Sequence, residues 1–259
     1  MAETIPVLKD QIDNIGIIIL NREKEKNTFT PEFAALLNQY LLEMDNDDSI
    51  NVVVIKANGK HFSTGIALDQ FPGKTHKQYL ELIEQLDMHT KTIFRMKKPV
   101  IASAKGFAIA NGAGLVFAAD LAIAAESSKF GTTAINVGLN CIGPAVPLSR
   151  HVNRKKLLEM VLTGDMYSAA EMERLGVVNK VVPDEELEEK TMELAKKLAL
   201  KSPLALESAK QGIHGIFDLP YEKASDYMRE MFASLLSTQD AKEGLEAFNE
   251  RRDPVWKKK

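Results

Sequence analysis

Two short segments carry the residue types that present bare backbone to a ligand. One reads His61-Phe62-Ser63-Thr64-Gly65-Ile66-Ala67-Leu68, the other Gly106-Phe107-Ala108-Ile109-Ala110-Asn111-Gly112-Ala113-Gly114-Leu115. Each sits where a β-like run gives way to a helical pattern. Backbone N–H groups freed at such turns can be aimed at an oxygen that gains negative charge during a reaction, and small residues let a ligand approach the main chain. Two turns supply two donors. The same glycines also serve tight turns and close helix packing, so the residues alone leave both uses open. Neither nucleotide fingerprint fits: the glycines at 106, 112 and 114 miss the G-x-G-x-x-G spacing, and no Lys-Ser/Thr pair closes a phosphate loop.

Side chains able to move a proton or hold a metal are sparse. The single cysteine, Cys141, excludes an internal disulfide and a cysteine-rich zinc site, and the five histidines offer no pair at ligand spacing, so no metal is expected. Cys141 reads as a small buried hydrophobe rather than a nucleophile. His61 and His89 are weaker candidates still. Asp87 lies within a turn of Ile83, Leu86 and Thr90. A carboxylate facing an apolar pocket from that position would have its pKa raised by desolvation, whereas the ordinary alternative is a solvated helix carboxylate.

The elements that must position these groups read as α/β. Ile15 to Leu20 and Asn51 to Ala57 are Ile- and Val-rich and short enough to be strands buried on both faces. Between them Thr30-Pro31 is an N-cap with proline at the first helical position, followed by Phe33, Leu36, Leu37, Tyr40 and Met44 at helical spacing. A second cycle has a helix from about Lys77 to Met96, a break at Pro99, a strand Val100 to Ala104, the small-residue segment Asn111 to Asp120, and a strand Leu121 to Ala125. Leu157 to Leu162 and Ala169 to Leu175 read as short helices, Val177 to Val182 as extended, and nearly everything from Glu185 onward as helical. Long amphipathic helices of that kind pack either on a neighbouring subunit or on their own core.

Composition limits the partners. The 259 residues include 33 Lys+Arg and 36 Asp+Glu, a net charge of −3, so no general attraction to nucleic acid or anionic membrane is expected and an anionic ligand must be held by local basic residues. No apolar run approaches the roughly 20 residues needed to cross a bilayer. The segment MAETIPVLKDQ lacks the pattern of a signal or transit peptide, and with one cysteine this points to a cytoplasmic protein.

Five ordered blocks carry a family resemblance: NREKEKNTFT (21–30), HFSTGIALDQF (61–71), MKKPVIASAKGFAIANGAGLVFAADLAIAAESSKFG (96–131), LLEMVLTGDMYSAAEMERLGVVNKVVP (157–183) and DAKEGLEAFNERR (240–252). Over essentially its full length the chain resembles the crotonase, or enoyl-CoA hydratase/isomerase, family. The resemblance implies a ββα superhelix over residues 1–195 that holds an acyl-CoA site, and a helical C-terminal region over 196–259 that builds a homotrimer or a hexamer of two trimers. It implies a CoA thioester as substrate, with no metal, flavin or nicotinamide and CoA entering only as part of that substrate. The family stabilises an enolate with two backbone N–H groups, and matching the motifs puts these on Ile66 and Asn111. By the same matching Lys24, Lys60 and Leu68 fall near the CoA moiety, while Phe232, Phe248 and Arg251 fall where C-terminal helices, partly from a neighbouring subunit, close over it. A local basic cluster would reconcile an acidic protein with an anionic ligand.

The chain departs from the pattern where the hydratase branch carries its acids. Gly114 and Ala134 stand at the positions of the two catalytic glutamates, Ile142 at a position where isomerase branches keep an acid, and Asp69 where a CoA-contacting lysine often follows the first turn. Glycine and alanine transfer no proton, so a glutamate-pair hydration mechanism is not available at those positions. Asp87 falls where a dehalogenase branch carries a catalytic histidine, and Asn136, Asn140 and Cys141 follow the second missing acid. The resulting expectation is enolate chemistry on an acyl-CoA without the two-glutamate machinery. The alternatives are a decarboxylase or thioester hydrolase of the same fold, or a catalytically silent acyl-CoA-binding protein.

Overall fold

The computed structural model describes residues 5–259; residues 1–4, part of the segment read for targeting signals, lie outside the described residues. The strands in chain order are Val7–Ile12 (β1), Ile15–Leu20 (β2), Val52–Ala57 (β3), Val100–Ala104 (β4), Phe107–Ile109 (β5), Leu121–Ala125 (β6), Lys129–Gly131 (β7), Met166–Ser168 (β8) and Lys180–Val182 (β9). The helices are Pro31–Asn46 (α1), His76–Arg95 (α2), Asn111–Ala118 (α3), Ile142–Leu148 (α4), Arg154–Thr163 (α5), Ala169–Arg174 (α6), Leu187–Ala199 (α7), Pro203–Ile216 (α8), Tyr221–Leu236 (α9) and Gln239–Glu250 (α10).

A six-stranded sheet runs β1-β2-β3-β4-β6-β9, antiparallel only at the β1–β2 hairpin. A smaller sheet, β5-β7-β8, stands beside it. The unbroken apolar runs of β2 and β3 follow from burial on both faces. Ile18, Leu20, Val53 and Ile55 enter the main core with α1, α2 and α3, while Ile15, Ile17, Val52 and Val54 pack on the other side against Ala195 of α7. Successive side chains of a strand point to opposite faces, so both sets must be apolar.

Helix starts follow local chemistry. Thr30 caps α1, its hydroxyl accepting from Phe33 N at 3.3 Å with Pro31 in the first turn. Thr75 and Gln78 form a reciprocal capping box on α2. The small-residue segment is a helix, α3, whose sides are packed so tightly that Asn111 to Phe117 are all buried. The extended stretch expected over 177–182 narrows to β9, because Val177 and Val178 turn back onto Met172, each donating to its carbonyl. The small sheet has no signature in the sequence: its strands are three residues each, too short to show a period.

The expected division at 195/196 falls inside α7, which packs on the main sheet through Met192, Leu194, Ala195 and Leu198. Beyond it α8 is fastened to the core by a buried ion pair, Lys210 Nζ to Asp120 Oδ2 at 2.7 Å. Lys210 Nζ also donates to the Lys98 carbonyl, and Asp120 Oδ2 also accepts from Val100 N. The last residues strap α10 down: Lys257 N and Lys258 N donate to Asp240 Oδ1, and Trp256 Nε1 donates to the Leu200 carbonyl.

Candidate functional site

The two turns singled out in the sequence lie against each other. Ser63 N donates to the Phe107 carbonyl and Ile109 N to the Ser63 carbonyl, a parallel bridge between the segments. Two glycines make this approach possible. A Cβ on Gly112 would lie 2.3 Å from the Ser63 carbonyl oxygen, and one on Gly65, at φ +92°, would lie 2.9 Å from Ala110 Cβ and 3.7 Å from Asn111 N. Their role is close backbone approach as well as turning.

Ile66 belongs to a second bridge, with Phe29. Phe29 N donates to the Gly65 carbonyl and Ala67 N to the Phe29 carbonyl, so the hydrogen bonds to Phe29 use the residues on either side of Ile66. In an extended segment the intervening N–H points the opposite way, and the Ile66 N–H has no acceptor among the described residues. Asn111 is the first residue of α3, where the N–H has no partner one turn back, and it too has none among the described residues. The first turn leads into a single 3-10 turn, Leu68–Gln70, rather than a longer helix. Ahead of Asn111, Ala110 is forced to φ +47° and ψ −120°, a conformation that costs any residue with a side chain.

One carboxylate stands beside Asn111. Asn111 Nδ2 donates to Asp87 Oδ1 at 2.6 Å. The other oxygen, Oδ2, has no donor among the described residues and lies over Gly143 of α4, where a Cβ would come within 2.5 Å of it. Asp87 is half-buried, and this desolvation holds its carboxyl above the ordinary carboxylate range against the opposing effects of the Asn111 hydrogen bond and Lys91. Sequence spacing put Asp87 near an apolar helix face; neither its link to Asn111 nor the clearance left by Gly143 was visible there.

Gly114 is packed against Pro144, whose Cβ and Cγ both lie 3.2 Å from where a Cβ would be. Ala134 is half-buried in the 3-10 turn Thr133–Val137. Cys141 is buried, and burial, with the neighbouring Asp87 charge adding to it, pushes its thiol up and away from reactivity. Asn136 and Asn140 serve the loop itself, donating to the Gly164 carbonyl and accepting from Ile142 N respectively.

The basic residues are gathered by Asn27, which the sequence reading did not single out although it lies within the first family block. The Asn27 side chain donates to the carbonyls of Asn58 and His61 and accepts from Arg22 N, tying the 22–28 loop to the 58–63 loop. Lys24 and Lys60 are exposed on these two stitched loops. His61, stacked on Phe107 at 4.7 Å, has its pKa lowered by burial and by Lys60 and Lys26, which marks a local positive field. Leu68 is exposed just beyond Ile66, as is Asp69. Phe232, Phe248 and Arg251 are also exposed, on helices that pack chiefly on α8 and on each other rather than on the strands bearing the two turns.

The mostly parallel sheet, the two abutting backbone turns and the helix that starts at the second of them agree with the crotonase-type fold that the resemblance implies. Among known proteins, the family described as enoyl-CoA hydratase/isomerase matches residues 10–259. The chain is 34% identical over 249 residues to the Rattus norvegicus enoyl-CoA hydratase domain-containing protein 3, mitochondrial, covering 95% of this chain and 82% of that one. It is 32% identical over 258 residues to the Thauera aromatica (E)-benzylidenesuccinyl-CoA hydratase, covering 98% and 99%. Among solved structures, the Mycobacterium smegmatis enoyl-CoA hydratase superposes with a TM-score of 0.93 at 32% identity, covering 97% and 98%. The human enoyl coenzyme A hydratase domain-containing protein 3 superposes with a TM-score of 0.93 at 33% identity, covering 97% and 100%. The chain belongs to the enoyl-CoA hydratase/isomerase family. Among the described residues no helix is long and apolar enough to cross a membrane.

Proposed function

We propose that this family member binds an acyl-CoA thioester and forms its enolate, with Asp87 as the proton-transfer group in place of the glutamate pair. The Ile66 and Asn111 N–H groups receive the thioester carbonyl oxygen. The Asp87 carboxylate takes a proton from the adjacent carbon; the C–H electron pair becomes the enolate double bond, and the carbonyl π pair moves onto the oxygen held by the two amides. A pKa raised by burial makes Asp87 a stronger base than an exposed carboxylate. Lys24 and Lys60 meet the anionic nucleotide end of CoA, with Leu68 lining its path. Phe232, Phe248 and Arg251 act across the interface of a trimer, a reading supported by the exposure of Tyr221, Tyr227, Phe232 and Leu236 on α9 and of Phe248 on α10. CoA enters as part of the substrate and no separate cofactor takes part. The observation that carries this reading is the Asp87–Asn111 hydrogen bond, which holds a desolvated carboxylate at the turn that bears a candidate oxyanion donor.

The test is hydrogen exchange next to the thioester. A panel of saturated and unsaturated acyl-CoAs in D2O, followed by mass spectrometry, is expected to show enzyme-dependent deuterium uptake at the α-carbon for at least one member. Asp87→Asn is expected to abolish it, and hydration of crotonyl-CoA to be weak or absent. Uptake unchanged in Asp87→Asn sinks the assignment of the base. A second reading, a silent acyl-CoA-binding protein, is favoured by the Pro144 ring filling the space over Gly114; binding without exchange, decarboxylation or thioester hydrolysis on any panel member would establish it.

A further inference from the structure

We infer that the Asn111 side chain is a positioning residue that fastens the Asp87 carboxylate to the oxyanion turn, engaging Oδ1 and leaving Oδ2 over Gly143 as the atom that meets a proton. The inference rests on the proposed role of Asp87 and adds to it a second function for Asn111, whose main chain and side chain then serve different partners. Three observations meet here. The Asn111 Nδ2 to Asp87 Oδ1 distance is 2.6 Å, a short bond to a charged acceptor. Asn111 is buried at the start of α3, so its amide has one fixed direction. Gly143 gives Oδ2 clearance on the α4 side, since a Cβ there would sit 2.5 Å from that oxygen.

The arrangement is a two-point clamp. Asp87 sits on α2 and Asn111 on α3, and α4 closes the third side. A carboxylate free to rotate would present either oxygen; with Oδ1 engaged, the remaining oxygen has one position relative to the Asn111 main chain. Proton transfer depends on that placement, because the reacting atoms must lie within hydrogen-bond reach. The other groups facing Asp87 are Lys91, one turn along α2, and the Cys141 thiol ahead of α4. Lys91 favours the charged carboxylate, as the Asn111 donor does, and both act against burial.

The experiment reads Asp87 directly, without relying on turnover. Carboxyl 13C NMR of protein labelled at aspartate, with the Asp87 signal assigned by its loss in Asp87→Asn, gives its titration midpoint in wild type, Asn111→Ala, Asn111→Ser and Asn111→Asp. Alanine keeps the main-chain amide and removes the donor, so the midpoint is expected to rise by about 0.5–1 pH unit, with serine intermediate and aspartate highest through like-charge repulsion. A midpoint unchanged in Asn111→Ala and Asn111→Ser, with both variants folded by circular dichroism, overturns the inference. Where exchange at the α-carbon is detected, Asn111→Ala is expected to lower kcat at least tenfold with KM changed less than threefold, and to move the pH profile upward with the NMR midpoint. A raised midpoint in a protein with no acyl-CoA chemistry leaves the clamp standing and removes the enzymatic reading, so the two failures are distinguishable.

Discussion

His89 lies on the buried face of α2, two residues from Asp87, and is 1% exposed; neither ring nitrogen reaches a hydrogen bond of normal geometry among the described residues, and the Leu86 backbone only partly opposes the effect of burial. Its ring packs 5.2 Å from that of Phe29. Burial pushes its pKa from the ordinary 6.5 down to about 4. The unfolded chain therefore binds a proton in a range where the folded protein refuses one. Stability contributed by the neutral ring is complete above pH 6.5 and is lost as the pH falls toward 4. At ~1.4 kcal/mol per unit the shift amounts to about 3 kcal/mol in full, of which about 2 kcal/mol is gone by pH 5. His89→Leu, close in volume and without polar atoms, removes this term. The assay is urea unfolding of wild type and His89→Leu at pH 7, 6 and 5. The other titrating groups cancel in the difference, so the variant should gain about 2 kcal/mol on wild type between pH 7 and 5. Parallel stability lines over that range would show that the folded ring accepts a proton, and the account of a neutral, sealed imidazole would fail.

Two further outcomes follow from backbone and packing. Ala110→Gly releases a non-glycine residue from φ +47°; against the entropy that glycine adds to the unfolded chain, a net gain of about 1 kcal/mol is expected by thermal unfolding, and a loss would show that the strain is not there. Gly114→Glu alone is expected to destabilise by about 1–3 kcal/mol, because its Cβ would press on the Pro144 ring at 3.2 Å. Paired with Ala134→Glu it should yield measurable crotonyl-CoA hydration only when Pro144→Gly removes both the ring and the Cβ that stand 3.2 Å away, and hydration in the two-glutamate variant with Pro144 intact would refute the packing argument.

What the sequence disclosed depended on whether a residue acts through its own neighbours in the chain. β2, β4 and β6 begin and end where the apolar runs do, and α1 begins at Thr30-Pro31, since strand burial and helix capping are local. Ile66 and Asn111 came from motif matching; that the two turns touch through Gly65 and Gly112 is a tertiary fact without any short-range period. Asn27 escaped notice because an asparagine at φ +55° in a loop looks like any turn residue until its partners, Asn58 and His61, arrive from more than thirty positions away. Lys24 and Lys60 were placed by motif matching, whereas the Asn27 bonds that tie their two loops together have no signature in either segment alone.

Gly143 and Pro144 are adjacent on α4 yet answer opposite needs. The glycine leaves room for a carboxylate oxygen reaching over from α2, and the proline fills room left by a glycine on α3. Each pairing is a match of small against large across a helix contact, and dense packing makes the members of each pair interdependent. Main-chain donors are insensitive to such exchanges, since an amide at residue 66 or 111 keeps its direction whatever side chain it carries. A site of this kind can therefore hold its carbonyl-binding geometry constant while its acid/base group moves from one helix to another. Asp87 with Gly143, and Gly114 with Pro144, have the form such a relocation would take, and it follows that inserting a glutamate without clearing Pro144 changes one member of a pair and leaves the other opposed to it.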